Sequence, residues 1–107
     1  MNFYMRDKIL KIINTYGVLP QLKYLQSEVF EFNEAVIKYN EALSSADTTE
    51  VRLKYLKEHI AEEFADVQVM LEQFKVYYNL DNQEIMEIME YKINRQIDRI
   101  EKGDDSE

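Results

Sequence analysis

Residues 22–43 read LKYLQSEVFEFNEAVIKYNEAL, and this stretch decides the fold class. Its apolar residues recur at alternating spacings of three and four, which aligns them along one side of an α-helix that faces a partner helix. They are Leu22, Leu25, Val29, Phe32, Val36, Tyr39 and Leu43. No segment of the sequence alternates with the period of two that half-buried strands show. We therefore predict an all-α protein.

The two helices at the amino-terminal end are separated by Gly17 and Pro20. Gly17 follows the apolar-periodic residues 3–16 and is placed as the residue that ends the first helix. Pro20 suits the first turn of the second helix, where its missing N–H would have no partner in any case. The small and polar residues 44–49 predict the loop that follows.

Two more helices begin at capping patterns. Asp47 with Glu50 predicts the start of the third helix, of about 30 residues, and Asp81 with Glu84 predicts the start of the fourth. We expect the four helices to form one bundle. A chain of 107 residues hardly fills a second core, so residues 1–102 are predicted as a single domain and 103–107 as a disordered acidic tail.

The composition excludes several classes of function. The 13 Lys and Arg against 21 Asp and Glu give a net charge of −8, which argues against duplex nucleic acid as a partner. The chain has no Cys, so disulfides and thiolate metal sites are absent. There is no apolar stretch of about 18 residues and no secretory leader pattern, so we expect a cytoplasmic protein without a membrane partner.

An acid interrupts the apolar row of the third helix. That row is Leu53, Leu56, Ile60, Glu63, Val67, Met70 and Phe74. Asp66 lies one turn after Glu63 on the same side, and Glu28 with Glu31 repeats the spacing on the second helix, beside its apolar row. Two antiparallel helices would bring these four carboxylates together.

Four acids in a partly dry site repel one another unless a cation cancels their charge. An all-oxygen set suits Mg²⁺, with Mn²⁺ able to substitute. The alternative, that these acids lie on solvated helix faces, stays open on the pattern alone. A di-iron centre is excluded because it needs Glu-x-x-His on two helices, and His59, the single His, has Leu56 three residues before it.

Further features concern partners. The third helix carries a second apolar row, Phe64, Leu71 and Tyr78, which predicts a homodimer or a larger assembly such as a homotetramer. On the fourth helix Lys92, Arg95 and Arg99 form a basic row beside its apolar residues. Pairing with neighbouring acids accounts for Arg99, whereas Lys92 and Arg95 together with a metal site predict binding of a polyphosphate.

Three segments resemble a known family. They are SEVFEFNEAV at 27–36, AEEFADVQVML at 61–71 and YKINRQIDRIEKG at 91–103. Together they resemble the MazG-like all-α nucleoside triphosphate pyrophosphohydrolases, in particular small members from phages or prophages. The resemblance covers residues 16–102, and it implies Mg²⁺-dependent hydrolysis of an NTP or dNTP to the monophosphate and pyrophosphate.

The resemblance also implies roles for individual residues. The metal-binding and catalytic acids would be Glu28, Glu31, Glu63 and Asp66. Glu62 or Glu34 would orient the attacking water. Lys92 and Arg95 would bind the phosphates of the substrate.

Two alternatives to an enzyme remain on the same scaffold: a non-catalytic helical interaction or regulatory module, and a nucleotide sensor without turnover. The interval between Glu31 and Glu63 is wider than in many members of the family, which keeps both alternatives open.

Overall fold

A computed structural model describes residues 3–103, with side chains from Met5 onward. It contains four α-helices: α1 at Phe3–Tyr16, α2 at Val18–Leu43, α3 at Glu50–Tyr77 and α4 at Asn82–Glu101. No strand occurs within the described residues, so the prediction of an all-α protein with four helices is confirmed. None of the described helices combines the length and the low polarity that crossing a bilayer requires.

Helices α1, α2 and α3 pack into one compact unit that ends at Tyr77. The main interface lies between α2 and α3, and α1 packs against both. The apolar core of this unit consists of Ile9, Ile13, Ala35, Ala42, Leu56, Met70 and Val76. A second unit begins at Tyr78 and contains α4. The single domain of residues 1–102 and the four-helix bundle stay predictions, and 104–107 of the predicted tail lie outside the described residues.

The buried side of α2 is turned by one position from the predicted one. Its buried residues stand seven apart, and they are Gln21, Glu28, Ala35 and Ala42. The predicted members Leu22, Val29 and Leu43 are exposed, so that part of the prediction is wrong. Alanine and polar residues take these buried positions, whereas the larger apolar residues of the predicted row are half-buried or exposed. We call these four buried residues the α2 inner row.

Gly17 separates α1 from α2 as predicted. Its φ of 96° is accessible to glycine and strained for other residues, and its N–H donates to the Ile13 carbonyl at 2.8 Å. α2 begins at Val18, two residues before the predicted start, and Pro20 therefore lies third in the helix. That position is still within the first turn, where a missing N–H costs no helical hydrogen bond.

The start of α3 differs from the prediction in its capping residue. Thr49 Oγ1 accepts a hydrogen bond from Arg52 N–H at 3.1 Å, whereas Asp47 lies in the preceding loop. Thr49 is thus the cap, because its hydroxyl lies within reach of the free amides of the first turn. The predicted cap of α4 is confirmed, since the Asp81 carboxylate accepts from Glu84 N–H at 2.9 Å.

The apolar row of α3 is placed as predicted along most of its length. Its members between Leu53 and Phe74 are all buried or half-buried. Toward the end of the helix the buried positions become Gln73 and Val76. The second row is exposed in the isolated chain at Phe64 and Leu71.

Candidate metal centre

Three of the four predicted acids meet where α2 packs against α3. One carboxylate oxygen from each of Glu28, Glu31 and Glu63 lies within 4.8 Å of the other two. Glu28 belongs to the α2 inner row, Glu31 lies one turn further along α2, and Glu63 belongs to the apolar row of α3. We call these three residues the acid cluster.

Two of these carboxylates are largely removed from water. Glu28 is only 7% exposed, and the side chain of Glu63 is 12% exposed, whereas Glu31 is open to solvent. The Oε2 atoms of Glu28 and Glu63 are buried and find no hydrogen-bond partner among the described residues. A buried oxygen without a partner costs free energy that a bound cation would recover.

The electrostatics of the cluster favour protonation in the absence of a cation. Burial, and then the nearby charges of Glu31 and Asp66, raise the pKa of both Glu28 and Glu63 above the ordinary value of glutamate. His59 opposes this effect at Glu63. Hydrogen bonding with Glu31 also raises the pKa of Glu63.

Asp66 is the fourth predicted acid, and it lies at the edge of the cluster. It is exposed, and the set of oxygens within 4.8 Å does not include it. Its charge nevertheless raises the pKa of both buried glutamates.

The side chain of Tyr24 interacts with that of Glu28. The two side chains share a hydrogen bond in which the phenol donates, and this bond lowers the pKa of Glu28 while the carboxylate raises the pKa of Tyr24. The spacing of four residues on α2 makes this contact possible. The sequence analysis did not predict a contact between Tyr24 and Glu28, although a spacing of four residues on a helix is the signal that indicates one.

The two residues predicted to orient water lie in different surroundings. Glu62 is 76% exposed on its side chain, and its Oε2 is 3.8 Å from His59 Nδ1. His59 Nε2 is 3.8 Å from Glu63 Oε1, so the imidazole stands between the two acids of α3. Glu34 is half-buried on α2 and does not belong to the acid cluster. Their role with water stays a prediction.

The two predicted phosphate-binding residues belong to α4. The Arg95 guanidinium lies 5.8 Å from the centre of the Tyr91 ring, an arrangement that favours a cation–π contact. Lys92 lies one turn before Arg95 and is exposed. Their contact with substrate phosphates stays a prediction.

Comparisons with protein-family models, with curated proteins and with solved structures were all without a match. The geometry of the acid cluster is therefore the starting point for the function.

The cluster fits a small hard cation. Ligand oxygens about 2.1 Å from one octahedral Mg²⁺ lie roughly 3 to 4 Å from each other. The three oxygens of the acid cluster lie within 4.8 Å of one another, so small side-chain movements suffice to bring them onto one ion. Three protein oxygens leave half of an octahedron for water or for phosphate oxygens.

A cavity of about 570 Å³ opens beside the cluster, within the first unit. Glu28 and Asp66 form part of its wall, and α1 contributes Ile12 and Tyr16. Two buried amides also line it: Gln21 Nε2 donates to Gln73 Oε1 at 2.8 Å. The sequence pattern missed both glutamines. Gln21 stands seven residues before Glu28, so the correct register of α2 would have revealed it.

Proposed function

We propose that this protein is a cytoplasmic, Mg²⁺-dependent nucleoside triphosphate pyrophosphohydrolase of the MazG-like type. It hydrolyses an NTP or dNTP to the monophosphate and pyrophosphate. The observation that carries the proposal is the Glu28 carboxylate, which is more than nine-tenths buried, has an oxygen without a partner, and points into a cluster with Glu31 and Glu63. Such an arrangement is costly for a protein that binds no cation.

Glu28, Glu31 and Glu63 would hold the cation, and Asp66, whose charge acts on Glu28, would be the fourth ligand. A bound Mg²⁺ supplies charge to the phosphoryl oxygens and lowers the pKa of a coordinated water. Tyr24 positions the Glu28 carboxylate through its hydrogen bond. Glu28 and Glu63 lie in the interface between α2 and α3, so little reorganisation of these two side chains would be needed when substrate binds.

The reaction requires a base and groups that bind the leaving phosphates. A water oxygen bonds to phosphorus, the bridging P–O bond between the α and β phosphates breaks, and pyrophosphate leaves with the electron pair. A carboxylate accepts the proton of the water, and Glu62 or Glu34 is our candidate for orienting that water. Lys92 and Arg95 would stabilise the negative charge on the phosphates.

The same proposal includes a homodimer or homotetramer. Phe30 on α2 and Phe64 and Leu71 on α3 are large apolar residues that are exposed in the single chain. A second copy that covers them would remove their apolar area from water, and symmetric assembly is the commonest way to do so.

Pyrophosphate release tests the proposal directly. The purified protein is incubated with each of the common NTPs and dNTPs and with Mg²⁺ or Mn²⁺, and pyrophosphate is measured with and without a chelator. We expect release from at least one nucleotide, and we expect the chelator to abolish it. Absence of release from every nucleotide would favour the interaction module or the nucleotide sensor.

A further inference from the structure

We propose that the 570 Å³ cavity lined by α1, α2 and α3 binds the heterocyclic base of a nucleotide, and that the Gln21–Gln73 amide pair reads the edge of that base. This inference rests on the proposed function, because it assigns a binding site to the base of the same nucleotide whose phosphates would lie at the acid cluster. It names the two residues that would set the preference for a base.

The position of the cavity fits a ligand with two chemically different ends. Its volume lies within the range of about 300 to 1,000 Å³ that small-molecule sites occupy. Glu28 belongs both to the wall of the cavity and to the acid cluster, and Asp66 lines the same wall. A molecule in the cavity therefore has one end beside the cation-binding acids, where its phosphates would lie.

The amide pair has a larger capacity for hydrogen bonds than its one mutual contact uses. Gln21 is 8% exposed and Gln73 is 1% exposed, so both amides are buried. A carboxamide carries two N–H donors and an oxygen with two lone pairs. The 2.8 Å bond uses one donor of Gln21 and one lone pair of Gln73. Gln73 Nε2 directs a further hydrogen toward Met70 Sδ at 3.5 Å, and a thioether is a weak acceptor.

These properties match the edge of a nucleobase. Each base presents hydrogen-bond donors and acceptors side by side, and the amide pair offers both kinds of group at the cavity wall. Two apolar side chains would fill the same space without the cost of burying amides. The presence of two glutamines in contact is thus explained by a polar ligand.

The rest of the wall fits the flat faces of a base. Tyr16 and Tyr24 contribute aromatic rings, and Ile12, Val69 and Met70 contribute apolar surface. Both tyrosines are exposed in the structure, so their rings are free to pack on a ligand that enters from solvent. Stacking of a base on an aromatic ring contributes roughly 1 to 3 kcal/mol and tolerates all bases, which leaves discrimination to the amides.

The test replaces both glutamines by methionine, in the double variant Gln21→Met, Gln73→Met. Removal of one partner would leave the other amide unpaired, whereas replacement of both by apolar groups of similar shape is nearly neutral for stability. The matched control is Gln26→Met, Gln68→Met, which changes two exposed glutamines on the same two helices. Circular dichroism checks that both variants keep the helical fold.

Two measurements are made on each protein. Side-chain amide signals in NMR spectra follow the titration of the four common deoxynucleosides without metal, and kcat/KM for pyrophosphate release is measured with the corresponding triphosphates and Mg²⁺. In the wild type we expect the Gln21 and Gln73 signals to shift with at least one nucleoside. We also expect kcat/KM to differ by about tenfold or more between the best and the worst base. The double variant should lose nucleoside binding and most of this ratio, and the control should keep both.

The outcomes separate this inference from the proposed function. If the wild type releases pyrophosphate and the double variant keeps the same ratio between bases, the amide pair does not read the base and the inference is wrong. If the wild type binds nucleosides through the two glutamines but hydrolyses no triphosphate, the inference stands and the hydrolase proposal fails. Absence of nucleoside binding to the wild type overturns the inference regardless of turnover.

Discussion

Glu28 on α2 and Glu63 on α3 bring carboxylate oxygens to within 4.8 Å of each other, and each also buries an oxygen that has no partner among the described residues. Both belong to the packed interface between the two helices, so neither can turn to solvent without disturbing that interface. The free energy of this arrangement therefore depends on whether a proton or a cation is bound.

The first prediction concerns pH and the stability of the metal-free protein. The pKa of Glu28 is raised in the folded state by burial and by Glu31 and Asp66. Because the pKa of Glu28 is higher in the folded than in the unfolded state, this carboxyl group contributes its full stability at pH values below the unfolded-state pKa of about 4.3. That contribution is lost as the pH rises through the folded-state pKa. We expect the melting temperature with chelator to fall as the pH rises from the unfolded value through the raised pKa of the folded state.

Glu28→Gln should weaken that fall, because glutamine has no proton to lose, and the exposed Glu41→Gln should leave it unchanged. Thermal melts followed by circular dichroism measure the effect. An equal fall in the wild type and in Glu28→Gln would contradict the link to this carboxyl group.

The second prediction concerns the cation. Mg²⁺ or Mn²⁺ should raise the melting temperature at neutral pH, since an ion that binds only the folded state stabilises it by about 2.7 kcal/mol at a hundred times its dissociation constant. The rise should shrink at about pH 5, because protons compete for the same oxygens. A thermal-shift titration with each metal salt measures this. A Na⁺ salt at the same ionic strength that stabilises equally well would argue for simple screening.

The third prediction concerns catalysis. Glu63→Gln should lower kcat for pyrophosphate release on the order of a hundredfold or more, because it removes a negative ligand from the acid cluster. The metal-free variant should melt at a temperature no lower than the wild type, since the change also removes repulsion. Glu58→Gln, on an exposed turn of α3, is the control. Full activity of Glu63→Gln would show that the metal site is assigned wrongly.

The fourth prediction concerns Tyr24. Its hydrogen bond lowers the pKa of Glu28, so Tyr24→Phe should raise that pKa further and shift metal binding to higher pH. Calorimetric titration with Mn²⁺ at several pH values measures the shift. Tyr55→Phe, an exposed tyrosine on α3, should bind as the wild type does. The hydrogen bond has no role in metal binding if the two variants give the same curve.

The fifth prediction concerns assembly. Leu71→Lys should convert a dimer or tetramer to a monomer, because it places a charge in the apolar row of α3 that a second copy would cover. Val51→Lys, at an exposed apolar residue near the start of the same helix, is the control. Light scattering gives the mass of each species. A monomeric wild type at high concentration would refute the proposed assembly.

Single residues with strong local preferences allowed much of the fold to be predicted. Gly17 ends α1 and Asp81 caps α4 as expected, because these residue types satisfy a specific backbone requirement. Thr49 caps α3 in place of Asp47, since several residues of that loop can act as caps and only one lies at the right position.

The register of α2 could not be predicted from apolar residues alone. Leu22 and Val29 mark one side of the helix, whereas the partner helix packs on the neighbouring side, where Gln21 and Glu28 lie. The spacing of apolar residues predicts which side of a helix is buried only to within about one residue, and successive residues differ by about 100° around the helix axis. Glu63 was easier to recognise, because it interrupts an otherwise apolar row whose position the structure bears out.

The α2 inner row divides along its length into a polar half, Gln21 and Glu28, and an alanine half, Ala35 and Ala42. The alanines belong to the apolar core, whereas both polar residues line the cavity and Glu28 also belongs to the acid cluster. Under the proposed function, a substitution at Gln21 would change the wall of the ligand cavity and leave the alanine half of the row as it is. Ligand preference and helix packing would then depend on different residues of the same row.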